Sequence, residues 1–514
     1  MNADLLIYNG KCLSYDENTI YDWIATKDGR ITEMGTSDSY KTILTGHDYA
    51  IDANGGSVLP GFYDSNVHLM QTAFNRTRLS LRDARSFADI GDLIQEEAKK
   101  HTDGSPLIAY GLDEEKLIEK KLPDRHFLDK FSRDFPVVIS RVEYHSCVLN
   151  TNALLHYKVS YMLDGIELDS EKMPTGVVRY GANAILRENI LTDISVTDRK
   201  IALDDTMKFL LKNGITTLNA MEGGYTFSDW DAETIYMYKD SFPIDIILYY
   251  QTTDVEMIKA KGLTQMGGSL FVDGAFGSRN AALAEDYNDK AIWNGLLYYS
   301  DEEMNSFVQS CYENNIQLAV HAIGERAIEQ MINAHKKAFN STKKTGMRHR
   351  LEHAELITPK QTIDAKELGI VLSMQPSYEL FWGGAGNMYE TRLGDRYKVT
   401  NPFKEITDAG IIICGGSDSD VTPACPIMGI HGAVNHPIKE HRIDIMAAIK
   451  MFTCNGAFAV FEEDKKGYLR KGYEADIVIL DEDLLSIEAD KIIDCNVKYT
   501  IKAGNILYSS AVEE

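Results

Sequence analysis

The long middle of this 514-residue chain alternates short apolar runs with stretches whose apolar residues recur at helical spacing. Near-continuous apolar runs that alternate with amphipathic helices are typical of parallel strands, because helices cover both faces of such a sheet. The body of the chain is therefore predicted to be of the α/β class. Strands are predicted over residues 58–62, 136–140, 214–219, 245–250, 270–272, 317–320, 350–352, 370–374 and 411–414.

Helix start signals lie between these predicted strands. Ser300 and Glu303, for example, have the spacing of a capping box in front of an apolar helical pattern. The candidate strands outnumber the eight that a closed parallel barrel needs. The pattern therefore predicts a (β/α)8 TIM-like barrel over residues 58–455, with an insertion near residues 70–200.

Both ends of the chain are rich in short strand-like runs separated by turns. Asn9-Gly10 and Asp28-Gly29 are hairpin signals near the start, and residues 503–505 form a similar turn near the end. Two β-rich ends that flank one α/β body predict a small composite β-sandwich domain, made from residues 1–57 and 456–514.

The net charge and the cysteine content limit the classes of binding partner and the cellular compartment that we expect. The formal net charge is -24 at pH 7, whereas nucleic acids and anionic membranes attract basic patches. The sequence has no apolar run long enough to span a bilayer and no signal-peptide pattern at its start. Its seven cysteines include no C-x-x-C pair, which is typical of free thiols in a reducing compartment. We therefore expect a cytoplasmic protein that binds a small-molecule substrate, but neither nucleic acid nor membrane, with a homodimer left open.

Polar side chains follow four of the predicted strands, namely Asn66, His68, His321, His353 and Asp418. In a parallel barrel the active-site groups lie at the carboxyl ends of the strands. A single histidine at such a place is ordinarily structural, but three histidines and an aspartate at four strand ends match the ligands of a catalytic zinc-type ion. The sequence therefore predicts a metal site at one end of the barrel.

The motifs around these positions resemble the amidohydrolase superfamily. Residues 60–68 are similar to its first-strand motif P-G-F-x-D-x-H-x-H, and residues 466–476 to its motif K-G-S-L-x-x-G-x-x-A-D. The resemblance covers nearly the whole chain in collinear order. Further segments resemble the branch that contains N-substituted formamide deformylases, known as amidohydrolase family 3: residues 273–279, 321–327, 350–354, 375–377, 392–394 and 416–418.

This resemblance implies a barrel hydrolase that uses a divalent metal ion, with zinc as the expected ion. It implies that His68 and residue 66 bind the metal. It also implies that His321, His353 and Asp418 supply the remaining ligands or the catalytic groups.

Two residues depart from the family pattern. Asn66 stands where the motif has a histidine, and an amide oxygen is a neutral, weaker ligand than imidazole for a zinc-like ion. Ser269 stands where many relatives have a lysine that can be carboxylated. A two-metal site bridged by such a lysine is therefore not expected, and we predict one ion rather than two.

Four residues are candidates for substrate binding. His145 and Asn150 fit a family segment that faces the substrate, and Arg279 could hold a carboxylate or carbonyl group of the substrate. Glu222, which follows a predicted strand, could supply a carboxylate to the site. Each of the four also has a structural interpretation, which the sequence leaves open.

Together these features predict hydrolysis of a carbon–nitrogen bond, other than a peptide bond, in a small amide or formamide-like compound. Asp418 would take a proton from a metal-activated water and pass it to the leaving nitrogen. His353 would bind the metal or stabilise the oxyanion. The alternative, motivated by Asn66 and Ser269, is a ligand-binding relative whose hydrolase activity is weakened or lost.

Overall fold

The structure is a computed structural model that describes residues 3–15, 18–42, 47–101, 104–142, 146–224 and 228–512. The chain divides into two compact units. The larger consists of Met1–Leu69, Asp204–Gly224 and Ile235–Glu514, and the smaller of Met70–Leu203 and Tyr225–Thr234.

The larger unit contains an eight-stranded sheet in which every neighbouring pair of strands is parallel and the spatial order follows the chain order. Most residues of these strands are buried on both faces, as expected for a parallel sheet covered by helices. The strands are β1 Phe62–Val67, β2 Ile215–Glu222, β3 Asp245–Tyr250, β4 Gln265–Phe271, β5 Gln317–Ala322, β6 Arg350–His353, β7 Val371–Met374 and β8 Ile413–Gly415.

The carboxyl ends of β1 and β8 meet and nearly close the barrel. Val67 forms an isolated parallel bridge with Ser419. The backbone N–H of Asp418 donates to the carbonyl of Asn66 at 2.8 Å, and that of His68 donates to the carbonyl of Ser419 at 2.7 Å. The fold is thus mixed α/β with a nearly closed TIM-like barrel, as predicted.

The apolar run at residues 58–62, predicted as one barrel strand, is divided between two sheets. Ser57–Pro60 pairs antiparallel with Ile477–Leu480, while β1 begins only at Phe62. Gly61 lies at the change of sheet, where an added Cβ would be 2.2 Å from the hydroxyl of Thr216. The prediction was wrong here because both sheets require buried apolar residues, and the sequence pattern does not mark the boundary between them.

Strand β4 contains a bulge built from three consecutive residues with positive φ. Gly267, Gly268 and Ser269 have φ of 101°, 53° and 63°, and the register with β5 shifts at this point. An added Cβ on Gly267 would lie 2.0 Å from the carbonyl oxygen of Ala319, so glycine is required. Bulges of this kind redirect side chains next to active sites, and this one sets the direction of Ser269.

Helices follow most strands of the barrel. The predicted capping box is confirmed, since the Ser300 side chain accepts from the Glu303 N–H while the Glu303 side chain accepts from the Ser300 N–H. No helix in the described ranges is both long and apolar enough to cross a membrane. The α-helices are Leu69–Thr77, Phe87–Ala98, Arg125–Leu128, Thr151–His156, Tyr180–Thr192, Val196–Lys212, Asp229–Tyr238, Val255–Ala260, Asp301–Asn314, Glu325–Thr342, Pro359–Glu367, Ser377–Phe381, Met388–Leu393, Phe403–Asp408, Pro426–Val434, Ile445–Met451 and Cys454–Ala459.

Two further sheets of the larger unit use strands from the chain ends. One joins both ends in the order Asn505–Ser509, Val497–Lys502, Ile477–Leu480, Ser57–Pro60, Lys11–Ser14 and Thr19–Tyr21. The other has the order Arg30–Gly35, Trp23–Lys27, Ala3–Tyr8 and His47–Asp52. These sheets belong to the same compact unit as the barrel, so a separate β-sandwich domain stays a prediction.

The smaller unit is built on a mixed six-stranded sheet, and it contains residues 70–200, near which the sequence predicts an insertion. The strand predicted at 136–140 lies in this sheet rather than in the barrel. The order is Ile166–Leu168, Pro174–Arg179, Ser146–Leu149, Val137–Arg141, Leu107–Leu112 and Leu79–Ser80.

Candidate active site

His68 and Asp418 form a buried pair where β1 and β8 meet. His68 Nδ1 lies 3.0 Å from the carbonyl oxygen of Met221, and His68 Nε2 lies 3.0 Å from Asp418 Oδ1. Burial opposes charge on both groups, but each stabilises the charge of the other. The pKa of His68 is accordingly raised to about 9, with Glu222 contributing, and the pKa of Asp418 is held below its usual value.

His321 and His353 bring a second pair of imidazoles to the same end of the barrel. Their ring centroids are 4.5 Å apart in an edge-to-face arrangement. Both side chains are buried, and burial lowers the pKa of each imidazole. The pKa values of both also respond to the charges of His68 and Asp418, so the four side chains form one cluster. A neutral imidazole is the form that binds a metal ion.

Tyr378 completes the surroundings of Asp418. Its hydroxyl donates to Asp418 Oδ2, and its ring lies parallel to that of His353 with centroids 6.0 Å apart. The sequence pattern did not single out Tyr378, because buried aromatic residues usually belong to the core. Its position directly after Gln375-Pro376-Ser377, a segment that resembles the family, was the available signal.

Asn66 belongs to a buried polar network that the sequence did not reveal. Its Nδ2 donates to Glu352 Oε2 at 2.9 Å. Glu352 also accepts from Arg350 Nε at 2.9 Å, and both residues are fully buried. Arg350 and Glu352 lie on the same face of β6, just before His353. A charged pair at i and i+2 within a buried strand was therefore the missed signal.

Asp273, two residues after the end of β4, organises the loops around His321. Its carboxylate accepts the backbone N–H groups of Ala282, Ile323 and Gly324 at 2.7, 3.0 and 2.8 Å, and Oδ1 lies 3.7 Å from His321 Nε2. Burial raises the pKa of Asp273 to about 7, although these hydrogen bonds oppose the shift. The aspartate of the family-like segment 273–279 thus holds two loops together.

Glu222 and Ser269 both lie within strands of the barrel. Glu222 is the last residue of β2 and is fully buried, so it is not a solvated loop residue. Its charge helps to raise the pKa of His68, which places the carboxylate near the histidine–aspartate cluster. Ser269 is buried in the bulge of β4, and its carbonyl accepts from Gln251 at 3.3 Å.

The other substrate-binding candidates lie in structural contacts or outside the described residues. His145 falls outside the described residues. Asn150 caps the helix Thr151–His156, and its side chain is bonded to four backbone groups of the smaller unit. Arg279 forms a two-bond ion pair with Asp289, at 3.0 and 2.7 Å. The polar groups of Asn150 and Arg279 are thus already engaged within the protein.

A separate carboxylate cluster satisfies the spacing of a metal site but is an ion-pair network. Oxygen atoms of Asp245, Glu474 and Asp476 lie within 4.8 Å of one another, and among the described residues no trio from the His68–Asp418 cluster is as compact. Lys502, however, lies 2.8 Å from Asp245 and 2.9 Å from Asp476, and Lys466 also pairs with Asp245. Two ammonium groups neutralise these carboxylates, which sit at the amino end of β3 rather than at the carboxyl ends of the strands.

Comparison with known proteins shows the family and the fold of this chain. Protein YtcJ of Bacillus subtilis (strain 168) is 27% identical over 490 residues, which cover 90% of each chain. The N-substituted formamide deformylase of Arthrobacter pascens is a more distant relative, 22% identical over 538 residues that cover 98% of each chain. The crystal structure of an uncharacterized metal-dependent hydrolase from Pyrococcus furiosus superposes with a TM-score of 0.77 at 24% identity, covering 94% of this chain and all of that one, which shows a shared fold. The sequence profile of the amidohydrolase family matches residues 49–508, and the chain therefore belongs to the amidohydrolase family.

Proposed function

We propose that this chain is a metal-dependent hydrolase that cleaves a carbon–nitrogen bond, other than a peptide bond, in a small amide or formamide-like substrate. The observation that carries the proposal is the buried cluster of His68, His321, His353 and Asp418 at the carboxyl ends of four barrel strands. Membership of the amidohydrolase family supports it. The names of the Arthrobacter deformylase and the Pyrococcus hydrolase, which describe those proteins, point in the same direction.

The residues present fit a divalent cation. Imidazole and carboxylate are the usual ligands of zinc, and burial keeps His321 and His353 in the neutral form that coordinates a metal. Asn66 Oδ1 and His353 Nδ1 are buried atoms without a hydrogen-bond partner among the described residues, and such atoms are costly unless a cation or water satisfies them. We propose His68, His321, His353 and Asp418 as ligands of one zinc-type ion, with Asn66 as a weaker fifth. Ser269, in place of a lysine, supports one ion rather than two.

The chain's own residues would move the proton. When bound, the ion supplies a water of lowered pKa and polarises the substrate carbonyl. Asp418 would take the proton of that water and deliver it to the leaving nitrogen. Tyr378 and His68 hold its two oxygens, so the carboxylate is already oriented for this transfer. His353 would bind the cation or stabilise the developing oxyanion, and Glu222 would contact the substrate from β2.

A second candidate is a ligand-binding relative with weakened or lost hydrolysis. The observation that favours it is Asn66, whose amide nitrogen is bonded to Glu352 and whose oxygen replaces an imidazole of the family pattern. Such a protein would keep the barrel and its pocket but hold its metal weakly.

Metal content and turnover of the same preparation separate the two candidates. Purified protein, stripped with a chelator and reloaded with zinc, manganese or cobalt, is assayed against N-substituted formamides and simple amides, with dipeptides for comparison. The proposed hydrolase binds one equivalent of metal and turns over an amide or formamide, while Asp418→Asn abolishes most turnover. Absence of metal binding at any pH, or stoichiometric metal without turnover of any compound, would favour the ligand-binding relative instead.

A further inference from the structure

We propose that Glu352, held in place by Arg350, is a positioning residue that turns the side-chain amide of Asn66 so that its oxygen is presented to the cation. This inference rests on the proposed metal site. It assigns a function to a buried ion pair inside the barrel that would otherwise count as structural.

The direction of the Asn66 amide follows from its partner. Glu352 accepts hydrogen bonds from Arg350 as a carboxylate, so the group that faces it at 2.9 Å must be the Nδ2 donor of Asn66. Oδ1 is therefore turned away from Glu352. It is buried and has no hydrogen-bond donor in the described part of the chain, which is the condition in which an amide oxygen gains most from a cation.

Oδ1 of Asn66 faces the proposed metal ligands because the backbone of Asn66 is bonded to Asp418 and lies next to His68. The carbonyl of Asn66 accepts from the N–H of Asp418 at 2.8 Å, and His68 lies two residues further along the chain, directly after the end of β1. Side chains at i and i+2 point to the same side of a strand. An oxygen on residue 66 is thus on the side of the barrel where His68 and Asp418 meet.

Glu352 is held by Arg350, which is fixed in turn by two further contacts. Arg350 Nε and Nη2 bind its two oxygens at 2.9 and 3.1 Å, and Arg350 Nη2 also donates to Ser373 Oγ at 3.0 Å. The guanidinium group lies over the ring of Tyr249, 4.8 Å from its centroid. A carboxylate fixed in this way resembles the outer carboxylates that orient metal-binding side chains, whose loss weakens metal affinity by about 10–100-fold.

Glu352→Gln tests the inference directly. Glutamine keeps one acceptor oxygen but replaces the other with an N–H donor, so Arg350 and Asn66 compete for the oxygen that is left and the Asn66 amide loses its fixed orientation. The metal dissociation constant, measured by competition with a chromophoric chelator, should rise by about 10-fold or more. The matched control is Glu379→Gln, another buried glutamate, which accepts from Thr400 and Asn401 at 2.8 Å. It should lower the melting temperature without changing metal affinity.

In a double-mutant cycle, Glu352→Gln should lower metal affinity in the wild-type protein and raise it in the Asn66→Asp protein. Asn66→Asp alone sets a second carboxylate against Glu352, and the repulsion should weaken metal binding although the new ligand is charged. In the Asn66→Asp/Glu352→Gln protein the glutamine N–H donates to the new carboxylate, and metal should bind at least as tightly as in the wild type. If Glu352→Gln does not fold, Glu352→Asp can be used instead. It keeps the charge but withdraws the carboxylate from Asn66, and it should still lower the metal affinity.

The outcomes separate this inference from the proposed function. A wild-type protein that binds no metal overturns the proposed function and the inference with it. A wild-type protein that binds metal tightly, together with folded Glu352 variants of unchanged affinity or a strictly additive cycle, overturns the positioning role alone. Loss of affinity in the Glu379→Gln control would show that any buried glutamate has this effect, and it would also overturn the role.

Discussion

Tyr378 donates its phenolic hydrogen to Asp418 Oδ2, although the two residues are 40 positions apart in the chain. Tyr378 lies in the short helix Ser377–Phe381 that follows β7, and Asp418 follows β8. Burial raises the pKa of Tyr378 well above its usual value, with the charge of Asp418 adding to the shift, so the phenol stays a neutral donor. The contact fixes the carboxylate that the proposed mechanism uses as its base.

Tyr378→Phe should therefore lower kcat by about 10-fold, the lower end of the effect of removing an outer partner. The substitution keeps the ring against His353 but removes the hydrogen bond to Asp418 Oδ2. Tyr389→Phe is the matched control, because Tyr389 is also buried and donates to a buried carboxylate, Glu355. Steady-state kinetics on any substrate found, with melting curves for both variants, provide the measurement. Equal loss of activity in both would contradict a specific role for Tyr378.

Asp418→Asn should lower kcat by a factor of about 10²–10⁴, the usual range for loss of a general base. Asparagine keeps the shape and one oxygen but cannot accept the proton of the water. Thermal stability should also fall, because His68 loses the buried carboxylate that raises its pKa, although Tyr378 still has an oxygen to donate to. Near-normal turnover in a folded variant would exclude Asp418 as the base, whereas a variant that does not fold would show that the pair with His68 is structural.

The sequence predicted the frame of the barrel because each strand carries its own signal. The run at 245–250 was predicted with its observed bounds. The residues at the strand ends were proposed for the site because chemistry in a parallel barrel lies there. The sheet change at Gly61 was missed because two buried sheets share one apolar run. The bulge of β4 was also missed, although Gly267 and Gly268 signal it.

The partners of the site residues could not be predicted from local pattern. Asn66 and Glu352 are 286 positions apart, and no periodicity relates them. The same holds for Arg279, whose charge suggested a substrate carboxylate and whose actual partner is the protein's own Asp289. Residue type limits the chemistry that a side chain performs, whereas the three-dimensional fold decides which partner it meets.

Arg279 and Asp289 should behave as a structural pair. Both oxygens of Asp289 bind Arg279, and Arg392 lies 2.5 Å from Oδ2, so the two arginines hold the pKa of Asp289 below its usual value although partial burial opposes this. We expect Arg279→Ala and Asp289→Ala each to leave KM unchanged. Their effects on unfolding free energy should be coupled by about 1 kcal/mol or less, as for other partly exposed pairs. A rise of KM in Arg279→Ala alone would instead support substrate binding by Arg279.

His335 and His349 form a buried pair of imidazoles on the outer side of the barrel, away from the proposed ligands. Their rings are 4.8 Å apart, and the ring of Tyr312 lies 5.8 Å from His335. His349 Nδ1 accepts from the Leu318 N–H at 3.0 Å, but neither nitrogen of His335 has a partner among the described residues. Burial lowers the pKa of His335 to about 3 and that of His349 well below its usual value.

This pair should make the protein sensitive to mild acid, and His335→Phe should reduce that sensitivity. The pKa of His335 is lower in the folded than in the unfolded chain, so the unfolded chain takes up the proton first as the pH falls below about 6.5. The stability that depends on neutral His335 is therefore complete above that pH and is lost progressively as the pH falls toward the folded pKa. At pH 5 the loss from His335 alone is about 2 kcal/mol relative to neutral pH.

Phenylalanine has no proton to bind, and it removes two buried polar atoms at little cost in shape. His335→Phe should accordingly match or exceed the wild type at pH 7, and it should lose less stability than the wild type between pH 7 and 5. Urea unfolding at pH 7, 6 and 5 measures this, with a substitution at an exposed histidine, His126→Gln, as the matched control. Parallel pH profiles for His335→Phe and the wild type would show that His335 is protonated, or satisfied by another group, in the folded protein.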